Sequence, residues 1–352
     1  MRLHLNELEL AEAYDRSRSF EELDAHQMHL IMDRARFLFE WFRAHPRLHN
    51  LISGMVILSV LAADAFALLG LPRWVLAQGR EHSFGWILLA SAVAGGVHCW
   101  LVYSLVVFSL HEGAAHNLIF AGKGALARAG QRIAGNLCRL GHGEPDYYSA
   151  CHMAHHAKFG TEHDSEFLNF ITPRRFWLAF LPLAAFMNVT DFMVHRPPTY
   201  TGSRALSGLL SLLYNGVYAY LIFRSFGLAF TLLTTLVFTP HLAFYLDRLR
   251  QFTEHNLMPL ENRNGARSFG IGFWGILIGG GPWGQPCHWA HHLAPAIPWY
   301  QQILLHLYIK DLLTERQREQ FMLTPFIGFP RLLWRLIRDV NTFGRRREMV
   351  RN

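Results

Sequence analysis

The sequence FGWILLASAVAGGVHCWLVYSLVVFSL occupies residues Phe84–Leu110 and contains no Asp, Glu, Lys or Arg. A helix of this length reaches about 40 Å at about 1.5 Å per residue, which exceeds the roughly 30 Å hydrocarbon thickness of a bilayer. Three further apolar runs approach or exceed the roughly 20 residues that a spanning helix needs. These runs are Leu51–Leu71, Leu206–Phe223 and Phe226–Tyr245. The chain, which is 51% hydrophobic, is therefore predicted to be an all-α membrane protein with four transmembrane helices.

The distribution of basic residues predicts the orientation of these spans. Arginine and lysine are concentrated before the first run, beside the histidine-rich segments and in the C-terminal tail, whereas the short connection Pro72–Ser83 carries few. The positive-inside rule therefore predicts that both termini and the histidine-rich segments face the cytosol, most simply across an inner membrane. The first run is too long and too internal for a secretory signal peptide. A shorter apolar stretch, Phe176–Val189, is interrupted by a proline and is predicted to lie in the membrane interface.

Four spans in two hairpins then bring all histidine-rich segments to one side, with the second hairpin turning at Arg224 and Ser225. We expect a cytosolic amphipathic segment over residues 1–48, a membrane domain over 49–313 and a basic cytosolic tail over 314–352. The net charge is +7, but the basic residues flank the apolar runs, so the sequence does not favour nucleic acid as a partner. The four cysteines do not form a disulfide framework.

A histidine-rich hexapeptide occurs twice, as CHMAHH at Cys151–His156 and as CHWAHH at Cys287–His292. In each copy the histidines stand at positions i, i+3 and i+4, within about 100° of one another on a helix, so three imidazoles share one face. A histidine pair five residues apart follows the second span, and one further histidine, His255, follows the fourth. The fourth helix is predicted to run on to His255, because no helix breaker follows Pro240. The candidate metal ligands are His111, His116, His152, His155, His156, His255, His288, His291 and His292.

Nine imidazoles are enough for two metal ions. Neutral imidazole suits zinc, copper, iron and nickel, and non-haem iron is the choice when dioxygen chemistry needs open coordination positions. Glu112, Asp164, Glu166 and Glu254 are candidate carboxylates that orient the imidazole N–H groups, with surface salt bridges as the alternative. A zinc-dependent membrane hydrolase or a metal transporter remains a different interpretation. Against it, zinc sites rarely need more than three or four histidines each, and the spans lack clustered acidic residues.

The run Phe269–Trp283 is apolar but too short and too glycine-rich for a stable span. It is predicted to be a membrane-dipping or interfacial segment beside a substrate channel, or a plain anchor.

These motifs resemble the membrane-bound fatty acid desaturase and hydroxylase superfamily. The shared pattern is HX4H at His111–His116, HX2HH at His152–His156 and HX2HH at His288–His292, the last continuing as HHLAPAIPWY to Tyr300. The sequence Asp164-Ser165-Glu166 and the isolated Glu254-His255-Asn256 are also similar to that pattern. The resemblance covers roughly residues 50–310.

The resemblance implies a mushroom-like helical fold with a cytosolic cap that holds a di-iron centre. It also implies oxidation of a fatty acid or acyl lipid with dioxygen and two electrons. Desaturation ranks first, hydroxylation or ketolation second, and oxidative decarboxylation of a free fatty acid to a terminal alkene third. The sequence contains no haem-carrier, flavin or nicotinamide motif, so a separate ferredoxin- or rubredoxin-like donor and its reductase are expected to dock on the basic cytosolic face.

Overall fold

A computed structural model describes residues 21–78, 83–108, 116, 118–122, 124–125, 127, 129–130, 152–157, 204–255, 258, 265–283 and 285–335. Within these ranges every named element is helical. A single isolated β-bridge joins Ser268 and Met322 in the described residues. The predicted all-α class is therefore confirmed for the described part of the chain. The predicted interfacial stretch Phe176–Val189 lies outside the described residues.

The named α-helices are numbered in chain order. They are α1 (Ala25–Ala44), α2 (Pro46–Ala65), α3 (Leu71–Gln78), α4 (Phe84–Val106), α5 (Arg204–Leu232), α6 (Thr239–His255), α7 (Phe273–Ile278), α8 (His288–Leu293), α9 (Trp299–Leu312) and α10 (Glu315–Phe321). Two π-helical segments, Phe66–Gly70 and Leu233–Phe238, join α2 to α3 and α5 to α6. A 3₁₀ turn, Gln285–Cys287, precedes α8.

The chain divides into two compact units. The span unit consists of Arg43–Ala150 and Ala179–Asp247, and the box unit consists of Met1–Phe42, Cys151–Leu178 and Arg248–Asn352. The division expected from the sequence, into a cytosolic segment up to residue 48, a membrane domain up to residue 313 and a cytosolic tail after it, stays a prediction.

Three helical stretches in the described residues are long and apolar enough to cross a membrane. They are Pro46–Gln78, Phe84–Leu105 and Ala219–Phe238, with 33, 22 and 20 residues. These helices fit an integral membrane protein. The first two contain the predicted first span and most of the predicted second. The third overlaps both of the last two predicted runs, so four spans in two hairpins stay a prediction.

The predicted turn at Arg224 and Ser225 is not where the backbone breaks. Helix α5 continues through both residues, and the departure from helical geometry falls at Gly227, with φ 82° and ψ 179°. A positive φ of this kind is costly for any residue with a Cβ atom, so the chain bends at the glycine and not at the polar pair before it. Beyond the π-helical segment, α6 continues as a helix to His255, as the absence of a breaker after Pro240 predicts.

Buried apolar side chains and one polar pair hold the span unit together. Its core contains Leu68, Val75, Ala90, Ala94, Ile222 and Phe230. Between α2 and α4, the imidazole of His98 forms a hydrogen bond with the carboxylate of Asp64, and both side chains are buried. Polar groups inside apolar helices are costly unless they are paired, which explains why this histidine and this acid face each other.

The core of the box unit is built from α1, α8, α9 and α10. Ile31, Ala35 and Leu38 repeat at helical spacing on one face of α1 and are buried in this core. Trp289 of α8 stacks on Phe321 of α10 with ring centroids 4.1 Å apart and planes at 10°. This stack anchors the helix that carries His288, His291 and His292.

Candidate metal centre

Two short helical segments of the box unit carry the two histidine hexapeptides. Residues 152–157 are helical and include the histidines of the first hexapeptide, while α8 carries those of the second. We call His152–His156 the first box and His288–His292 the third box, because His255 stands between them in the sequence. In both segments the side chains at positions i and i+4 meet, as helical spacing predicts. Nε2 of His152 lies 3.0 Å from Nε2 of His156, and Nε2 of His288 lies 3.1 Å from Nε2 of His292.

A first histidine group forms where the third box meets the first. Nε2 of His291 lies 2.9 Å from Nε2 of His156 and 3.5 Å from Nε2 of His152. His291 and His152 are buried, and His156 is half-buried. The group therefore consists of two residues from the first box and the middle histidine of the third.

A second histidine group is built around the last residue of α6. Nε2 of His255 lies 2.9 Å from Nε2 of His288, which in turn contacts His292. A ring nitrogen of His155 lies within 4.8 Å of those of His255 and His292. This second group therefore contains two residues of the third box, the middle histidine of the first box and His255.

The two boxes thus exchange their middle histidines. Each box contributes its i and i+4 residues to one group and its i+3 residue to the other. The groups adjoin each other, since the ring centroids of His156 and His292 are 4.6 Å apart. Spacing alone predicts that three imidazoles share a face, and the exchange appears only when the two segments pack together.

The spacing of the nitrogens fits metal coordination better than hydrogen bonding. An uncharged imidazole carries a single N–H, so each Nε2 atom either donates or accepts. Among the three mutually close Nε2 atoms of the first group, at least one pair must therefore be of the same kind and cannot form a hydrogen bond. An imidazole nitrogen binds a metal at about 2.0–2.1 Å, so two ligands at an angle near 90° lie about 3 Å apart. In each group two pairs of Nε2 atoms, at 2.9–3.1 Å, are close to this value.

Burial keeps these imidazoles in the form that binds metals. The pKa values of His255, His288 and His292 lie well below the ordinary value of 6.5, chiefly because burial disfavours the charged ring and also because neighbouring histidines repel it. Neutral imidazole offers a lone pair to a cation, and protonated imidazole does not. The second group could therefore hold a metal ion near neutral pH.

A family model described as fatty acid desaturase matches residues 84–324, about two thirds of the chain, and this range includes both boxes and His255. The chain belongs to the fatty acid desaturase family. The comparisons with curated proteins and with solved structures returned no match. Membership of this desaturase family implies an oxidoreductase that modifies lipids.

In this desaturase-family protein, a buried ion pair stands beside the second group. Oε2 of Glu254 lies 2.7 Å from Nη1 of Arg250 and 3.6 Å from Nε2 of His288. The same guanidinium nitrogen donates to Oε1 of Gln285 at 3.2 Å. Glu254 is thus the one predicted carboxylate that the described residues bring to a histidine group. Arg250 was not predicted, although its i,i+4 spacing from Glu254 on a helix was a usable signal.

A second neighbour of the histidine groups also escaped prediction. Nε2 of Gln302 on α9 lies 3.1 Å from Nδ1 of His291 and 3.1 Å from the carbonyl oxygen of Ile297. Gln302 is fully buried, so this amide contributes to the orientation of the ring. The ten residues between His291 and Gln302 include two prolines, and no sequence periodicity links the two positions.

The one remaining predicted ligand within the described residues is His116. His116 belongs to the span unit, where burial lowers its pKa to about 4. In the same unit the side chain of Asn50 accepts from the backbone N–H of Ala121 at 2.7 Å and donates to its carbonyl oxygen at 3.1 Å, which fixes the chain five residues after His116. Four further predicted residues fall outside the described part of the chain, namely His111, Glu112, Asp164 and Glu166.

Proposed function

We propose that this protein is a membrane di-iron oxidase that desaturates a fatty acid or fatty acyl chain with dioxygen and two electrons. The observation that carries the proposal is the pair of adjoining histidine groups, in which successive ring nitrogens lie 2.9–3.5 Å apart. The family match supports oxidation of a lipid and not hydrolysis. Bound iron would supply, by reductive activation of dioxygen, the power to break an unactivated C–H bond, which no amino-acid side chain can supply.

The proposed ligand set contains nine imidazoles. Seven belong to the two histidine groups of the box unit, and the other two are His111 and His116. Nine imidazoles can bind two ions and still leave coordination positions open for a co-substrate. Open positions of this kind are typical of non-haem iron sites.

The remaining side chains hold these ligands and keep water away. Arg250 holds the carboxylate of Glu254 beside His288, and the side chain of Gln302 packs against the Nδ1 edge of His291, opposite Nε2. Trp289 fills the core behind α8, so the helix that carries three of the histidines cannot rotate without breaking its stack on Phe321. Such preorganisation keeps reacting groups in place and limits side reactions with solvent.

The overall reaction is balanced with one dioxygen molecule. Two electrons, two protons and two hydrogen atoms from the acyl chain reduce it to two water molecules, and a carbon–carbon double bond remains. Insertion of oxygen would give an alcohol or ketone, and loss of the carboxyl group from a free fatty acid would give a terminal alkene. We rank desaturation first because it is the activity for which the matching family is named.

We further propose four membrane spans in two hairpins, with the histidine groups and both termini on the cytosolic side of an inner membrane. Support comes from the apolar helices and from the arginines that flank them. Electrons would come from a separate ferredoxin- or rubredoxin-like protein, whose acidic surface would complement the basic cytosolic face.

Metal analysis and product analysis test this function together. Protein purified without oxygen should contain about two irons per chain, consume dioxygen only with a reductant, and convert fatty acids to products lighter by two hydrogens in mass spectrometry. The His306→Ala variant is a matched control for substitutions of the ligand histidines, because His306 is a buried histidine of the same unit outside both groups. Stoichiometric zinc together with turnover in the absence of oxygen would instead identify a hydrolase.

A further inference from the structure

Two apolar loops of the box unit, each of which includes a short helix, meet at their tips. The first covers residues 269–283 and the second residues 322–335, and neither contains an acidic residue. At the tips four large apolar side chains face outward: Ile271 is 42% exposed, Phe273 57%, Phe326 74% and Ile327 51%. Single exposed apolar residues are common on proteins, but a contiguous group of this kind marks an interaction surface. We call these four residues the apolar tip.

The apolar tip is held by contacts beneath it. The indole N–H of Trp274 donates to the carbonyl oxygen of Phe326 at 2.8 Å, and the Trp274 ring lies 5.0 Å from that of Phe329. At Gly272 an added Cβ atom would lie 3.0 Å from Cβ of Pro325, so the loops approach closely there because one of them has no side chain. The outward side chains are therefore mounted on a packed aromatic layer.

We propose that the apolar tip inserts into the headgroup and acyl boundary of the bilayer that the spans of this chain cross. Three apolar helices long enough to span a membrane place lipid within reach of the same polypeptide. Aromatic residues beside aliphatic ones, with basic residues next to them, are the composition of interfacial segments. Arg331 and Arg335 follow the tip, are exposed, and complement the phosphates of anionic lipids.

The charge pattern favours lipid over a protein partner. An acidic electron donor would need arginines or lysines at the centre of its contact, whereas the centre here is uncharged and the arginines lie to one side.

Insertion of the tip would place lipid close to the third histidine box. The backbone N–H of Gly270 donates to the carbonyl oxygen of Pro286 at 2.9 Å, two residues before His288. The idea that an acyl chain reaches the histidines along this loop rests on the proposed function. The insertion of the tip into the bilayer does not depend on that function.

Collision measurements with a spin label test the insertion without iron or turnover. A nitroxide is attached to Ile327→Cys in the full-length chain, in nanodiscs of phosphatidylcholine and phosphatidylglycerol, with Cys138 and Cys151 replaced by serine. The matched control is Glu319→Cys, an exposed position on α10 of the same unit. A label at Phe273→Cys provides a second position on the other loop.

Insertion predicts that labels at Ile327 and Phe273 collide with dioxygen several-fold more often, relative to a water-soluble nickel chelate, than the label at Glu319. Equal ratios at all three positions would overturn the proposal, because the tip would then lie in water. Low collision rates with both reagents at the tip would also overturn it, in favour of a second copy of the chain covering the surface. Failure of the oxidase assays would leave the collision ratios unchanged, so the two proposals can fail separately.

Discussion

Removal of the Arg250 guanidinium should destabilise the protein more than removal of both charges of its ion pair with Glu254. The two side chains are 7% and 0% exposed and their charged atoms are 2.7 Å apart, so solvent screens the pair very little. Breaking a buried ion pair by removal of one partner costs about 3–5 kcal/mol, because a charge stays behind in a medium of low dielectric constant. Arg250→Met is expected in the upper half of this range, since its Nη1 also donates to Gln285.

The double variant Arg250→Met/Glu254→Gln should recover most of this loss. It leaves neither charge of this pair behind, and the remaining penalty is that of one or two altered hydrogen bonds, about 1–2 kcal/mol. Arg36→Met provides the control, because Arg36 belongs to the same unit but stands 3.9 Å from Asp33 with its side chain 72% exposed. An exposed pair of this kind contributes less than about 1 kcal/mol.

Thermal unfolding in detergent can be followed with a thiol-reactive dye in chains whose Cys138 and Cys151 are replaced by serine, since the thiols of Cys99 and Cys287 are buried and become reactive when the chain unfolds. Each variant is measured with and without a chelator, so that stabilisation by a bound ion is separated from that of the ion pair. If the double variant unfolds at or below the midpoint of Arg250→Met, electrostatics is not the reason that Arg250 stabilises the protein.

Three other predictions follow from the histidines. His155→Ala and His291→Ala should each abolish oxidation of fatty acids while the protein still elutes as a folded species from size-exclusion chromatography, and near-normal turnover in either would contradict the ligand assignment. Because the boxes exchange their middle residues, His155→Ala/His255→Ala should retain about one iron per chain and His155→Ala/His291→Ala none, and equal iron contents in the two double variants would contradict the exchange. His306 has a pKa lowered to about 4 by burial and by the charge of Lys310. The unfolded chain therefore binds more protons between pH 6.5 and about 4, and stability should fall by on the order of 3 kcal/mol as the pH drops through this window. His306→Leu should lose that part of the pH dependence, and an unchanged slope of the unfolding midpoint against pH would refute the assignment.

Local sequence patterns predicted the features that depend on helical spacing. The apolar runs predicted helices, the i, i+3 and i+4 histidines predicted a shared face, and the absence of a breaker predicted that α6 reaches His255. All three depend on interactions within a few residues of each other, which sequence alone specifies.

Features that depend on tertiary packing could not be predicted from local sequence patterns. The exchange of His155 and His291 between groups requires two segments to cross at one angle, and no spacing encodes that angle. Gln302 reaches His291 only because α9 folds back after a loop with two prolines. The bend at Gly227 was missed because polar residues at Arg224 and Ser225 suggested a turn, whereas backbone sterics decided its position.

The exchange of middle histidines also has a consequence for biosynthesis. His156 and His292 are separated by 136 positions. At about 5–20 residues per second a ribosome needs roughly 7–27 s to pass from one to the other. Throughout that interval the nascent chain displays three histidines of the first box, and neither group is complete. If both groups hold iron as proposed, neither ion can acquire its full ligand set until the second half of the chain has been synthesised, so the metal centre forms late in the biosynthesis of the protein.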